Sequence, residues 1–291
     1  MFFKVVHKTA YQYFEPLSLC HNIGRLIPRD TDKQVLKNYR IDIDPLPDIF
    51  NEYEDFFGNK LFYFSIEREH SKLTVTVTSE IQKTAPASLQ TDMLSPKSWE
   101  AVRQQLQQYK TEFLDVLQYI PETSMTSFNQ EIKAYALQSF TPQRPLFDAA
   151  FNLMQRIFQD FKFMPGFTTI STPLAEVMQL RRGVCQDFAH LGIACLRSLG
   201  LPARYVSGYI ETLPQPGHTK LFGVDASHAW FSVFIPGSGW VDFDPTNNQI
   251  PSMQHLAIGW GRDYTDVAPL KGVIIGSGSH QLNVSVDVRR M

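Results

Sequence analysis

Apolar and polar residues alternate strictly through Leu73-Thr74-Val75-Thr76-Val77-Thr78, as in a half-buried strand. Tyr39-Arg40-Ile41-Asp42-Ile43-Asp44 alternates too, until Pro45 and Pro47 end it. The turn Phe57-Gly58-Asn59-Lys60 leads into another strand over Leu61–Ile66. Residues 1 to about 84 are therefore expected to be β-rich. From Ser98 the apolar spacing lengthens to three and four. Trp99, Val102, Leu106, Tyr109, Phe113 and Leu117 predict a helix over 98–119, and the pattern continues over 128–140 and 146–161, with breaks at Pro121, Pro142 and Pro145. After a Pro165-Gly166 turn, Thr172 as N-cap and Pro173 at the first position predict a helix ending near Arg181.

The next helix is expected to begin at or near Cys185. Leu191, Ala194, Cys195 and Ser198 can share one face, and Gly200 followed by Pro202 stops the pattern. Strands follow over 203–210 and 227–235, then the Gly-rich turn Pro236-Gly237-Ser238-Gly239 and a strand over 240–245, which reads as a hairpin. The last alternating run, Gln281–Val288, should be a strand docked into a sheet. These signals divide the chain into an N-terminal β-rich domain (1–90), a helical connecting region (91–145), a mixed core (146–250) and a C-terminal extension (251–291).

Composition narrows the class. The chain is 43% hydrophobic and 19% charged, as expected of a soluble globular protein. With 27 basic against 29 acidic residues its net charge is −2, which implies no bulk attraction to nucleic acid or anionic membrane. No apolar run is long enough to span a bilayer, and the N-terminus lacks a basic leader followed by an apolar core. Three scattered cysteines suit neither a disulfide framework nor a zinc site, so reduced thiols, a cytoplasmic location and no metal or cofactor are expected.

The first turn of a helix leaves backbone N–H groups unpaired and carries the positive end of the dipole. A thiol placed there is favoured as thiolate, and the same N–H groups can hold an oxyanion. A buried, inert cysteine is the bland alternative. The hairpin adds to the first reading: His228 near the start of one arm and Asp244 at the end of the other are brought together by antiparallel pairing. Cys185 as nucleophile, His228 as general base and acid, and Asp244 as its orienting partner make a thiol acyl-transfer site. Asp242, two residues away on the same face, competes with Asp244. His190 points about 140° from Cys185 round the helix and reads as structural or as a rim residue, and Cys195, about 15 Å along it, reads as core. Arg25-Leu26-Ile27-Pro28-Arg29 reads as a solvated or binding loop. Trp230, Tyr205, Tyr209, Trp240 and Phe163 read equally as a groove for an extended chain or as core, and the loop 213–222 as a lid.

The segments GVCQDFAH, RSLGLPARYVSGY, ASHAW and GWVDFDPTN, in that order and spacing, resemble the transglutaminase-like superfamily in its bacterial branch of candidate cysteine proteases. RLIPR from Arg25, DFFGN from Asp55 and GRDYTDVAP from Gly261 are similar to that branch's flanking regions. The resemblance implies an α+β fold with a papain-like core, the cysteine on its central helix and the histidine and aspartate on an antiparallel sheet. It carries Cys185, His228 and Asp244 across as a triad. It implies a thiol-dependent amide-bond hydrolase acting on a peptide or protein through a thioester acyl-enzyme, with protein-glutamine acyltransfer or a non-catalytic binding module as alternatives. Phe163 departs from the pattern, standing where many relatives have a tyrosine.

Overall fold

A computed structural model describes residues 1–84, 96–108, 111–212 and 226–291. The expected lid loop 213–222 and Tyr109 lie outside these residues. The chain opens with β1 (Phe2–Leu17), β2 (Leu19–Gly24), β3 (Gln34–Asp44), β4 (Ile49–Glu54), β5 (Lys60–Ile66) and β6 (His70–Lys83). The helical stretch carries α1 (Trp99–Leu106), α2 (Leu114–Leu117), α3 (Gln130–Leu137) and α4 (Leu146–Asp160). Then come β7 (Lys162–Phe163), α5 (Leu174–Leu180), β8 (Arg182–Gly183) and α6 (Cys185–Ser198). The chain closes with β9 (Ala203–Ile210), β10 (Ala226–Ile235), β11 (Gly239–Phe243), β12 (His255–Gly261), α7 (Tyr264–Val267), β13 (Leu270–Ile275) and β14 (His280–Arg290).

This is an α+β fold with antiparallel sheets. The core sheet has the order β11-β10-β9-β12. Odd-numbered residues of β9–β11, among them Tyr205, Phe231, Val233 and Phe243, join the buried cluster built around α6. The N-terminal strands form two sheets, β14-β1-β6-β3 and β13-β2-β5-β4, and the last two strands of the chain each complete one of them. Tyr13, Phe62, Phe64 and Val75 are among the residues packed between these sheets. Phe3, Val5 and Val288 pack on Tyr209, Leu256 and Ile258, so the N-terminal sheet leans directly on the core sheet.

Several sequence expectations change. The helix predicted over 98–119 is interrupted, with a 3₁₀ turn at Thr111–Phe113 between α1 and α2. Pro173, not Thr172, is the N-cap of α5, and the Thr172 hydroxyl instead accepts from the Thr169 N–H at 2.9 Å. The α6 helix is buried on every side from Asp187 to Arg197, not along one stripe. It runs between the core sheet and α3–α5, so even its polar residues must find partners inside. Gly200, at φ +76°, reverses the chain after it as expected.

The Arg25–Arg29 loop is neither solvated nor open. Leu26 and Ile27 are buried, Arg25 pairs with Asp55 at 3.8 Å, and Arg29 donates to Phe57 O and Asn59 Oδ1 while its guanidinium lies 3.3 Å over the Trp260 ring. Asn59 in turn brackets Trp260, donating to its carbonyl and accepting from its N–H. The RLIPR and DFFGN segments thus clasp β12.

Arg197 is the comparable anchor for α6. Its guanidinium donates to Tyr119 O, Thr126 Oγ1, Ala203 O and Arg262 O at 2.6–2.9 Å, tying the helix end to β9 and to the connections around it. Arg197→Met is expected to lower unfolding free energy by about 3 kcal/mol or more, because several buried acceptors lose a charged donor together. Urea denaturation of the two proteins measures it; a loss below about 1 kcal/mol would contradict this role.

Candidate active site

Cys185 is the first residue of α6, at the helix end where backbone N–H groups have no intrahelical partner. The N-cap, Val184, has no side-chain acceptor. Asp187 compensates: its Oδ2 accepts from the Val184 N–H at 2.8 Å and from Thr168 Oγ1 at 2.6 Å. The glycine before Val184 permits this, since a Cβ on Gly183 would lie 2.7 Å from that same oxygen. Burial raises the Asp187 pKa against these two hydrogen bonds. The approach is fixed by the short parallel pair β7–β8, extended by a hydrogen bond from Met164 N to Gly183 O at 2.9 Å. Cys185 is half-buried, whereas Cys20 and Cys195 are fully enclosed. Burial pushes the Cys195 thiol up to about 12 and raises Cys20 as well.

His228 sits two residues into the described part of β10, and Asp244 directly follows β11. The hairpin pairs Phe231 with Phe243, and the two chain ends continue past that pair until His228 Nε2 donates to Asp244 Oδ2 at 2.8 Å. With Nε2 committed to a carboxylate that can only accept, Nδ1 remains for Cys185, which lies near enough to favour the charged imidazole. The structure therefore brings Cys185, His228 and Asp244 into one row. Asp242 is not in it: its carboxylate accepts from Ser232 Oγ on the neighbouring strand.

Asp244 is completely buried. Oδ1 accepts from the backbone of Thr246 (2.9 Å) and Asn247 (3.2 Å). Oδ2 accepts from His228, from Asn247 Nδ2 (2.8 Å) and from His255 Nε2 (2.9 Å). Burial alone would raise its pKa, but the hydrogen bonds from the two imidazoles, the positive charge of His228 and the Asn247 amide outweigh it and hold the carboxyl well below its usual range. For His228, burial opposes the charge, but hydrogen bonding to Asp244 and Cys185 prevails and its pKa is pushed up to about 10.

Sequence reasoning missed His255 and Asn247. Asn247 lies in the turn after β11, where no local pattern marks its amide as a donor to Asp244. His255 opens β12, which pairs with β9, so nothing local in the sequence relates it to Asp244. Its Nδ1 accepts from Ser252 N–H at 3.3 Å, which leaves the Nε2 proton for Asp244. Burial, opposed by Asp244, keeps its pKa below the ordinary histidine value. His228, Asp244 and His255 are the one group among the described residues with ligand atoms close enough, within 4.8 Å, to hold a metal ion. As they stand, both imidazoles direct their protons at the same carboxylate oxygen, and the cluster is a hydrogen-bonded one.

The remaining expectations resolve by burial. His190 is structural: its Nε2 accepts from Tyr264 N–H at 3.2 Å, its ring lies 4.9 Å from that of Tyr205, and burial brings its pKa down to about 4. Tyr205 and Tyr209 are core residues, and Trp230 is buried as well, beside a cavity on the face of the sheet away from α6. Phe163 is 47% exposed beside Gly183 and brings no hydroxyl to the site.

The charge on His228 carries a pH signature. A folded pKa above the unfolded value of about 6.5 makes its pairing fully stabilising below that pH, and the stabilisation is lost as pH rises through about 10. Histidine NMR should show His228 protonated well above pH 7. In Asp244→Asn the midpoint should fall by several units, because burial is then opposed only by the contact with Cys185. An unchanged midpoint would show that Asp244 does not support the charge.

Comparison with known proteins agrees with this architecture. Residues 133–245 match the transglutaminase-like superfamily, and residues 3–82 match the bacterial transglutaminase-like N-terminal region. An uncharacterized protein of Mycobacterium tuberculosis is 39% identical, over 98% of this chain and 92% of its own. A Pseudomonas aeruginosa protein-glutamine gamma-glutamyltransferase is 31% identical over 34% of this chain and 16% of its own length. The crystal structure of a candidate cysteine protease from Cytophaga hutchinsonii superposes with a TM-score of 0.77 at 22% identity, covering 99% of this chain and 90% of that one.

Proposed function

The chain belongs to the transglutaminase-like superfamily, and from that premise we propose that it cleaves amide bonds of a peptide or protein through a thioester on Cys185. The observation that carries this reading is the 2.8 Å hydrogen bond from His228 to the buried Asp244, with the half-buried Cys185 near the same imidazole. In the first step the Cys185 thiolate attacks the amide carbon, and the carbonyl electron pair moves onto oxygen. The backbone N–H of Cys185, at the positive end of α6, is the donor for that oxyanion. Collapse of the intermediate breaks the C–N bond, and the His228 imidazolium gives its proton to the departing amine. A thioester and a neutral imidazole remain. His228 then takes a proton from water, the hydroxide adds to the thioester, and the acid leaves as the thiolate and imidazolium are restored. Asp244 keeps the ring oriented and its charge compensated throughout.

Acyl transfer to an amine instead of water uses the same thioester, and the partial likeness to the Pseudomonas gamma-glutamyltransferase supports it as a second reading. The two differ only in the acceptor and share every residue named above.

Iodoacetamide labelling followed by peptide mass separates an active thiol from a merely accessible one. At pH 6 Cys185 is expected to react about tenfold or more faster than free cysteine, while the enclosed Cys20 and Cys195 serve as internal controls. His228→Ala should remove the excess. Cys185→Ala should abolish turnover with the melting temperature nearly unchanged. If Cys185 reacts no faster than free cysteine and is indifferent to His228→Ala, the catalytic reading fails and a binding module of the same fold takes its place.

A further inference from the structure

On the face of the core sheet turned away from α6, a cavity of about 310 Å³ lies between the even-numbered residues of β9–β11 and the segments that cover them. Three of the four tryptophans, Trp230, Trp240 and Trp260, line it. So do Lys83 and Arg204, both largely buried. None of this follows from the proposed acyl-transfer chemistry.

Arg204 is the central group. It is 8% exposed, and its guanidinium carbon lies 4.3 Å from the centre of the Trp240 ring and 3.7 Å from that of Trp260. Two indoles thus pack on the guanidinium, whose N–H groups lie in its own plane, the geometry in which arginine takes a carboxylate. Among the described residues its Nε–H, which is buried, has no acceptor. Trp230 Nε1–H, also buried at the same cavity, has none either. A buried donor without an acceptor is costly, and two of them at one cavity favour an arriving acceptor. The cavity's charged lining is Lys33, Lys83 and Arg204 against Asp32 and Asp242. That balance of one positive charge matches a monoanion, and the two carboxylates disfavour a dianion such as phosphate. The indole walls suit a flat or apolar body.

We propose that this cavity is a binding site for a small monocarboxylate, its carboxylate received by Arg204 and the Trp230 indole N–H and its body laid against the tryptophans. The site abuts the acid end of the Cys185–His228–Asp244 row. Trp230 packs edge-on against the His255 ring at 5.3 Å and lies 6.0 Å from the His228 ring, while Lys83 donates to the His255 carbonyl. An occupant therefore rests against the residues that hold Asp244.

Titration of the ¹⁵N-labelled 291-residue chain with sodium benzoate tests this, with benzamide as the neutral isostere and the indole N–H signals as the readout. Benzoate is expected to shift the Trp230 signal saturably, with the distant Trp99 signal unmoved, and benzamide to bind at least tenfold more weakly. Arg204→Gln should weaken benzoate at least tenfold. If that variant fails to fold, Lys33→Glu at the cavity rim replaces it and should weaken binding severalfold. No saturable shift at Trp230, equal response to benzamide, or unchanged affinity in the folded variant overturns the proposal. The readout does not depend on turnover, so its failure is distinct from a failure of the catalytic reading.

Discussion

The burial of one carboxylate organises this molecule. Asp244 is wholly withdrawn from water yet ionised, and a charge in that position is tolerable only with a full set of donors. They come from three separate places: the turn after β11 supplies two backbone N–H groups and the Asn247 amide, β10 supplies His228, and β12 supplies His255. The core sheet must therefore form in register, with β12 on the far side of β9, before Asp244 can be satisfied. Satisfying it also fixes the His228 ring, so stability and site geometry rest on the same hydrogen bonds.

The thiol end is built on a different principle. The α6 helix is enclosed by the core sheet and α3–α5, which leaves only its ends partly exposed, Cys185 at the first position among them. Its N-terminus is braced by Asp187 and its C-terminus by Arg197, each a charged side chain placed against orphan groups at or around the helix end. The helix is thereby fixed in both position and direction, and Cys185 is presented to His228 by a rigid element, with no loop involved. Rigid presentation is what acyl transfer requires, since small displacements of a nucleophile are costly.

The two faces of the core sheet carry different chemistry. The odd positions are apolar and packed on α6; the even positions carry Arg204, Trp230, Trp240 and Asp242 and open onto a charged, indole-lined cavity. The N-terminal region meets the sheet through β12, where Phe3 and Val5 pack near Tyr209 and Leu256, Arg29 covers Trp260, and Lys83 reaches the His255 carbonyl, so segments far from Cys185 in the chain share one architecture with it.

Local chemistry in the sequence was enough to place Cys185 at a helix start, to alternate the strands, and to bring His228 and Asp244 together through a hairpin. Each depends on hydrogen bonding or side-chain alternation within a few residues, which the order of residues dictates directly. The tertiary structure alone decided what depends on distant segments meeting. His255 reaches Asp244 only because β12 pairs with β9, and β13 and β14 return to sheets begun at the other end of the chain. The Arg25–Arg29 loop is buried because Asn59 and Trp260 happen to meet it, and α6 lost its polar side because helices covered it. Burial and long-range pairing are properties of the packed whole, and no window of sequence contains them.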